Sequence, residues 1–469
     1  MYSVNIEVVG TCNLRCPSCP VGNAEGGRRS GSVGGTMPLE RLREALDWVG
    51  GAVTDDPSKV KICLFSWGEP LIHPDLPGLI AEVKRRGFQA AVSSNLNFVR
   101  DLDAVVRAGV DEFTISLSGF TQAAYAVSHA GGDIETVKRH MRELSDAIDR
   151  NSAATRVMVH YITYRHNAGA GEFSAMAEYC EQLRFEFTSS LAFFMPVEKL
   201  IAMSEGRRFA SDQPILDRLI VPIAEQLRMS APAAPATSCP LIEDRFDIDV
   251  DGAVRLCCAS FDRRYAVAPS FAEVSFDEAM RRRRSSDLCG DCSARGLERI
   301  FTRVDYAAWC DYANEVFREL QSPVRCVGTT LICHDHPTES MLLGVANEQA
   351  AAGQYAAASS AFAELRARLA AKYGADGSSI EGVLAYVKRG GRRFGRDVGT
   401  DPLRTFFLEG FIALFHDGDA ARGRRIFAML REMATTLLDA GAHAETARTV
   451  LPMIADCEAN APSLAMASG

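Results

Sequence analysis

The sequence predicts an α/β protein built from six strand-and-helix units, followed by a smaller cysteine-bearing region and an all-helical region. Three observations indicate this fold class. Short apolar runs alternate with helical periodicities over about the first 200 residues. The connections between these runs are short, as in a parallel barrel or an open parallel sheet. From about Met341 onward the sequence is rich in alanine and its periodicity is helical.

Composition and charge exclude several classes of protein. The chain has 469 residues, of which 47% are hydrophobic and 24% charged, with a net charge of −9. This balance gives no basic surface for nucleic acid, and the one basic run, 281–284, is interpreted as the solvated end of a helix. No signal peptide opens the sequence, and no run reaches the ~18 apolar residues of a membrane span. We therefore expect a cytoplasmic protein whose fourteen cysteines serve metal or redox chemistry rather than disulfides.

The six units follow one another along the chain. The first strand ends at Gly10, and the glycine-rich stretch 22–35 is interpreted as a floppy insertion or a lid. Pro38 opens the first helix, and Asp133 caps a later one. Strands are predicted at 4–9, 60–65, 89–93, 112–117, 156–162 and 187–194, and helices at 38–49, 76–86, 101–108, 134–150 and 172–183. Because chemistry in parallel barrels collects where the strands end, the residues after each strand form the candidate site.

Three cysteines stand within eight residues directly after the first strand, in the order Cys12-Asn-Leu-Arg-Cys16-Pro-Ser-Cys19. Thiolates select zinc, copper(I) or iron–sulfur clusters. A structural zinc site takes four ligands, usually from two paired knuckles. Three thiolates on one loop instead fit a cubane in which one iron stays open, although a zinc knuckle or a stray cysteine cluster is the alternative.

This cysteine spacing resembles the signature of the radical S-adenosylmethionine (radical SAM) superfamily. The resemblance implies a partial (β/α)6 barrel over 1–205, with a helix and linker at 206–238. It also implies that Cys12, Cys16 and Cys19 hold a [4Fe–4S] cluster whose open iron binds S-adenosylmethionine (SAM). Family members often have an aromatic residue where this sequence has Ser18.

Other strand ends carry further residues that match the family. Gly68-Glu69-Pro70 resembles the motif that holds the ammonium group of SAM, for which a carboxylate is a suitable acceptor. Ser94 and Asn95 resemble the polar residues that face the ribose and carboxylate of SAM. Ser118 stands at the next strand end, and each of these three is alternatively a turn residue that bonds its own loop. The site residues predicted for SAM are Gly68, Glu69, Pro70, Ser94, Asn95 and Ser118.

A second set of cysteines follows a proline-bearing linker. A β-hairpin is predicted from 246 to 256 with its turn at Gly252, and it brings Cys239 toward Cys257. Cys289 and Cys292 complete a set of four thiolates, which on spacing alone fits structural zinc or an iron–sulfur cluster. After a radical SAM barrel, the region 239–325 resembles the SPASM/twitch extension, which implies an auxiliary [4Fe–4S] cluster.

The final third, 335–460, is predicted to be a helical domain. Leu343, Gly353, Phe362 and Leu365 recur 65 positions later as Leu408, Gly418, Phe427 and Leu430. Each unit resembles a tetratricopeptide-like hairpin. We expect a structural cap, with the docking of a protein partner as the alternative.

The resemblance implies a radical SAM oxidoreductase or epimerase of specialised metabolism, acting on a carbohydrate-like small molecule with a reductant such as flavodoxin or ferredoxin. In this chemistry a 5′-deoxyadenosyl radical takes a hydrogen atom from the substrate. The candidate catalytic residues are Cys258 and Cys310, as hydrogen-donating thiols, and His160, as a substrate contact or proton shuttle. His160 is alternatively a satisfied buried histidine. The alternative functions are a maturase of ribosomal peptides and a non-catalytic zinc-binding scaffold.

Overall fold

The computed structural model describes most of the chain. The described residues are 2–22, 34–50, 53, 56–231, 238–302, 306–373, 379–388, 402–439 and 444–460. Most of the glycine-rich stretch 22–35 and of the predicted linker 229–238 lies outside these ranges. Among the described residues, no helix is both long and apolar enough to cross a membrane.

The centre of the fold is a seven-stranded parallel sheet with the order β6-β5-β4-β3-β2-β1-β7. Its strands are β1 Tyr2–Ile6, β2 Val60–Cys63, β3 Gln89–Ser94, β4 Glu112–Leu117, β5 Arg156–Thr163, β6 Glu186–Leu191 and β7 Arg245–Ile248. The predicted parallel α/β architecture is confirmed, and all six predicted strands are present.

The predicted hairpin around Gly252 is present, and its first strand also joins the sheet. The N–H of Asp249 donates to the carbonyl of Ala253 at 2.8 Å, and the N–H of Arg255 donates to the carbonyl of Asp247 at 3.0 Å. The pairing that was not predicted is that of β7 with β1, which is parallel and sets Val4 opposite Phe246. Without β7 the outer edge of β1 would expose unpaired backbone groups, and the apolar residues of β7 match the buried face of β1. The region after the linker therefore shares the sheet of the barrel.

Helices cover the outer face of the sheet. The first nine are α1 Leu39–Gly50, α2 Leu76–Arg85, α3 Leu102–Arg107, α4 Gln122–Ser128, α5 Ile134–Arg150, α6 Phe173–Gln182, α7 Val197–Ser204, α8 Gln213–Leu216 and α9 Ile223–Ser230. Asp133 caps α5 as predicted, since its carboxylate accepts from the backbone N–H of Thr136 at 2.6 Å. The short helix α4 was not predicted, and it lies beside the cysteine loop.

The two faces of the sheet differ in polarity. Along β4 and β5 every second residue is buried with the helices, as the period of two requires. The opposite face carries charges that pair across strands. Lys61 Nζ lies 2.9 Å from Glu112, and Arg156 makes two 2.7 Å bonds to Glu186. This face is therefore a polar surface on which the strand-end residues stand.

A smaller region follows β7. The short helix α10 Pro240–Glu243 lies just before this strand. After it the region contains α11 Phe276–Arg284, α12 Asp287–Ala294, α13 Glu298–Thr302 and α14 Tyr306–Glu319, and then an antiparallel pair, β8 Val324–Val327 and β9 Thr330–Cys333, that was not predicted.

The arginine run at the end of α11 is only partly solvated, which corrects the prediction for 281–284. Arg283 is fully buried, because it shares the inward helix face with Ala279 and Met280. Its guanidinium donates to the backbone carbonyls of Leu256, Arg245, Leu241 and Ile242 at 2.8 to 3.1 Å. It therefore holds together the chain segments on both sides of β7.

The final region is helical, as predicted. Its helices are α15 Glu339–Ala351, α16 Tyr355–Tyr373, α17 Ile380–Lys388, α18 Pro402–Phe415, α19 Ala420–Asp439 and α20 Ala444–Ala459. Gly353 and Gly418, the two repeated glycines, stand in the turns after α15 and α18 with φ of +73° and +71°. The repeated Phe362 and Phe427 are both buried. The repeat in the sequence thus corresponds to two helical hairpins.

Candidate active site

The cysteine loop leaves the C-terminal end of β1. Its backbone is held by a bond from the N–H of Arg15 to the carbonyl of Ala130 at 2.8 Å, and by a turn that joins Cys16 and Cys19. Gly22 packs against the same loop. A Cβ atom on Gly22 would lie 2.5 Å from the backbone nitrogen of Cys16. The loop is therefore closed on itself and has no room for a side chain at Gly22.

The three thiols of this loop lie within electrostatic reach of one another. Burial, together with the charges of Glu69 and Cys19, raises the pKa of Cys12 to about 12. Burial also raises the pKa of Cys16 well above its usual range, with added repulsion from Cys19 and Cys12. Because a cation must compensate three such thiolates, this donor set fits a cationic iron–sulfur group. In the described part of the chain, no three His, Cys, Asp or Glu side chains converge closely enough to hold a single metal ion.

The Gly68-Glu69-Pro70 loop at the end of β2 lies directly against the start of the cysteine loop. The N–H of Glu69 donates to the carbonyl of Thr11 at 2.9 Å. A Cβ atom on Gly68 would lie only 1.8 Å from the carbonyl oxygen of Val9. Glycine is therefore required there because two backbones touch, and the two predicted motifs meet at one edge of the sheet.

The side-chain carboxylate of Glu69 points into the protein interior. It accepts from the N–H of Leu71 at 3.0 Å, from the hydroxyl of Ser94 at 2.8 Å and from the N–H of Asn95 at 2.9 Å. Only 3% of the residue is exposed, and burial raises the pKa of this carboxyl to about 7. Pro70 opens the 3-10 turn that follows. Glu69 thus joins the ends of β2 and β3, and its predicted contact with SAM stays a prediction.

Asn95 is the predicted cofactor residue that lies nearest to the cysteines. Its amide nitrogen lies 3.0 Å from Oδ1 of Asn13 and 3.6 Å from Sγ of Cys12. The amide of Asn97 continues this polar group to the hydroxyl of Tyr125 at 2.6 Å. The polar groups at the end of β3 therefore border the proposed cluster.

Two other predicted residues lie in different surroundings. Ser118 is fully buried, and its hydroxyl bonds the hydroxyl of Ser128 and Nδ1 of His129, the latter at 2.9 Å. His160 stands half-buried on the polar face of β5, with Nε2 2.9 Å from the hydroxyl of Ser190. Both side chains have protein partners, and their roles toward SAM or substrate stay predictions.

The second cysteine set surrounds a cavity of about 410 Å³. Cys239, Cys257, Cys289 and Cys292 all line it, the last two from one face of α12. Burial raises the pKa of Cys289 to about 11 and that of Cys257 well above its usual range. Four half-buried thiols around one cavity fit a four-thiolate group that would compensate their charge.

The two predicted catalytic thiols differ from each other. Cys258 does not line the cavity, and its sulfur accepts from Nη1 of Arg245 at 3.7 Å. Cys310 forms a disulfide with Cys326 in β8. The expectation that no cysteine serves a disulfide is wrong for this pair, because β8 packs beside α14 and brings the two Cα atoms to 5.1 Å. A disulfide has no thiol hydrogen, so the predicted role of Cys310 does not fit this structure.

Sequence reasoning missed several residues at this edge. Glu7 is fully buried and accepts from the N–H groups of Trp67 and Gly68, both at 3.1 Å. Its partner Arg255 comes from beyond β7, and Tyr125 comes from the unpredicted helix α4. Glu7 could have been noticed as a charge in an otherwise apolar strand end, whereas Arg255 and Tyr125 carry no local signal.

Comparisons with known proteins give one family match and several similar proteins. Residues 6–169 match the model of the radical SAM superfamily. A probable GTP 3′,8-cyclase of Methanococcus maripaludis is 24% identical over 183 residues, which cover 39% of this chain and 56% of that protein. The PqqA peptide cyclase of Streptomyces rochei is 27% identical over 169 residues, covering 34% and 40% of the two chains. A solved structure of native anSMEcpe with bound AdoMet has a TM-score of 0.42 at 12% identity, covering 68% of this chain and 95% of that one.

The fold, the cysteine loop and the matched model together define the class. Residues 6–169 match the radical SAM domain, a class of enzyme domain that carries a [4Fe–4S] cluster and SAM. The chain spans about half the length of the curated relatives it matches. The substrate, the reaction and the second cysteine set are therefore matters for proposal.

Proposed function

We propose that this protein is a radical SAM enzyme that oxidises a small, carbohydrate-like molecule in specialised metabolism and carries an auxiliary [4Fe–4S] cluster. One observation supports this best. The loop of Cys12, Cys16 and Cys19 and the loop of Gly68 touch at one edge of a parallel sheet, through the 2.9 Å bond from Glu69 to Thr11. Ligands of parallel α/β sheets bind at this edge.

The residues of the chain divide this work. Cys12, Cys16 and Cys19 would hold the first cluster, and the closed loop through Gly22 would fix their spacing. The Gly68 loop and the polar group of Asn95 would face SAM. When bound, the cluster and SAM supply a 5′-deoxyadenosyl radical, which takes a hydrogen atom from a substrate carbon. The polar face that carries His160 and Ser190 would orient the hydroxyl groups of a substrate.

The second cysteine set supports oxidation as the outcome. Four thiols around one cavity would occupy every iron of a cubane, so this cluster would transfer electrons rather than bind substrate. Epimerisation, the other outcome, needs a thiol that returns hydrogen. Cys258 is the remaining candidate for that role, with its sulfur beside Arg245. We propose flavodoxin or ferredoxin as the reductant of the first cluster.

Anaerobic purification and reconstitution test this proposal. We expect a brown protein with about eight iron and eight sulfide atoms per chain, as two cubanes require. With dithionite it should convert SAM into methionine and 5′-deoxyadenosine, and Cys16→Ala should abolish this reaction. Unchanged 5′-deoxyadenosine formation in Cys16→Ala would reject the ligand role, and a colourless zinc protein would favour a scaffold.

A second candidate is the maturation of a ribosomal peptide. The similarity to a protein named PqqA peptide cyclase favours it, and the C-terminal helical region would then dock the peptide or its carrier. Incubation with SAM, dithionite and pools of either aminocyclitols or precursor peptides distinguishes the two. The true substrate class should raise 5′-deoxyadenosine formation above the substrate-free rate.

A further inference from the structure

The loop that includes Gly68 is supported by buried charges from the ends of the neighbouring strands β1 and β7. Glu7 follows β1 and is fully buried. Its Oε1 accepts from the backbone N–H groups of both Trp67 and Gly68 at 3.1 Å. One carboxylate oxygen therefore fixes two successive amides of this loop.

The other oxygen of Glu7 faces an arginine from the region after β7. Nη2 of Arg255 lies 3.5 Å from Oε2 of Glu7 and 3.0 Å from Oδ2 of Asp249. Arg255 is 6% exposed and Asp249 2% exposed, so all three charges are buried. A buried arginine between two carboxylates is strongly oriented, since removing it would take the positive charge from two buried carboxylates at once.

A second contact joins the same two regions. The ring of Phe261 packs edge-on against Trp67 with a centroid distance of 5.6 Å, and the guanidinium of Arg255 lies 6.0 Å from the same ring. Two independent contacts thus lead from the segment 249–261 to the two residues that precede Glu69.

We propose that Arg255 is a positioning residue for SAM: through Glu7 it holds the backbone of Trp67 and Gly68 in the shape that receives the cofactor. This rests on the proposed function, because it assigns the Gly68 loop to SAM. The region after β7 then contributes to the SAM site through the Gly68 loop. By thermodynamic linkage, the binding of SAM also stabilises the packing of this region against the Gly68 loop.

The test compares Arg255→Met, Glu7→Gln and the double variant with Arg263→Met as the matched control. Arg263 is an arginine of the same part of the chain whose guanidinium pairs with Asp251, and it does not bond Glu7 or the Gly68 loop. All proteins are prepared anaerobically and compared at equal iron content. Arg255→Lys keeps the positive charge and replaces Arg255→Met in the test if the Met variant does not fold.

Two readouts are measured. The first is hydrogen exchange of the Trp67 and Gly68 amides, which needs no SAM. The second is the dissociation constant of SAM. We expect Arg255→Met to accelerate the exchange and to weaken SAM binding by about 5- to 100-fold. The double variant should be no worse than the more damaged single variant, because both residues act through one path.

The remaining outcomes are equally decisive. Arg263→Met should leave both readouts within about twofold. Unchanged exchange at Trp67 and Gly68 in Arg255→Met, or an equal effect of Arg263→Met, would overturn the inference. Failure of the unmodified protein to bind SAM would instead reject the proposed function, while the exchange data would still decide whether Arg255 holds the loop.

Discussion

The backbone N–H of Asn95 donates to the buried carboxylate of Glu69 over 2.9 Å and so joins two loops whose residues lie 26 positions apart. The same carboxylate accepts from Ser94 and Leu71. Glu69 is therefore the joint between the ends of β2 and β3, beside the cysteine loop. Several of the predictions below concern this joint or the residues that support it.

Replacing Glu69 by Gln should weaken this joint. The amide of Gln has only one acceptor oxygen, so its NH₂ group would face one of the three donors that Glu69 now accepts from. We expect a loss of about 1–3 kcal/mol in the free energy of unfolding and weaker SAM binding. Chemical denaturation and equilibrium dialysis measure the two effects. Glu178→Gln, an exposed glutamate on α6, is the control and should change neither.

Stability should also depend on pH through Glu69. Burial raises the pKa of this carboxyl from 4.5 to about 7 in the folded protein. The folded state therefore binds the proton more tightly than the unfolded state, and stability falls as pH rises from about 4.5 to about 7. Relative to Glu69→Gln, the unmodified protein should lose about 2–3 kcal/mol between pH 5 and pH 7.5. A difference that is flat or rises over this window would contradict the assignment.

Gly68→Ala should disturb the site because two backbones touch there. The added Cβ would lie 1.8 Å from the oxygen of Val9, and backbone atoms cannot move aside as a flexible side chain would. We expect a loss of about 2 kcal/mol or more and little SAM binding. Gly171→Ala is the matched control, since nothing lies within 4 Å of its Cβ position. Equal melting temperatures for the two variants would refute the close approach.

Arg283→Met should be far more damaging than Arg281→Met. The guanidinium of Arg283 serves four backbone carbonyls, which would remain buried without a donor. We expect a loss of about 3 kcal/mol or more for Arg283→Met. The side chain of Arg281 is 75% exposed, so its substitution should cost at most about 0.5 kcal/mol. Urea unfolding of both proteins measures the difference, and similar values would mean that Arg283 is solvated after all.

The second cysteine set makes a prediction about iron content. Cys289→Ala should lower the iron of anaerobically reconstituted protein from about eight to about four atoms per chain, because one thiolate of an auxiliary cubane would be lost. Cys258→Ala and Cys63→Ala should keep the full content, since neither residue lines the cavity. Iron and sulfide analysis with electron paramagnetic resonance of the reduced proteins provides the measurement. Full iron in Cys289→Ala would remove this residue from the ligand set.

The catalytic thiol can be tested with the same variants. If the reaction is an oxidation, Cys258→Ala should still convert substrate, whereas an epimerase would lose its hydrogen donor. Product formation in deuterium oxide separates these cases, because only epimerisation places a solvent-derived deuterium on the product carbon. Cys310→Ala should affect stability alone, since Cys310 is joined to Cys326.

Much of the fold could be predicted because it depends on neighbouring residues. The boundaries of β4 and α5 agree with the prediction to the residue, since both carry a clear period and α5 begins at an Asp cap. The helix α4 was missed because its seven residues are too few for a period to stand out. The hairpin around Gly252 was predicted because its turn is local, whereas the parallel pairing of β7 with β1 was missed because it joins Ser3 to Arg245, which lie far apart in the sequence.

The sequence by itself determined which residues can carry the chemistry: the spacing of Cys12, Cys16 and Cys19, and the glycine and acid of the loop after β2. These signals are local, because a loop of eight residues fixes its own donor set. Only the tertiary structure decided what supports them. Arg255 and Glu7 lie 248 positions apart, and Arg283 reaches carbonyls up to 42 positions away. Such partners are selected by the packing of the whole sheet, because a buried charge is stable only where the fold brings its counterpart.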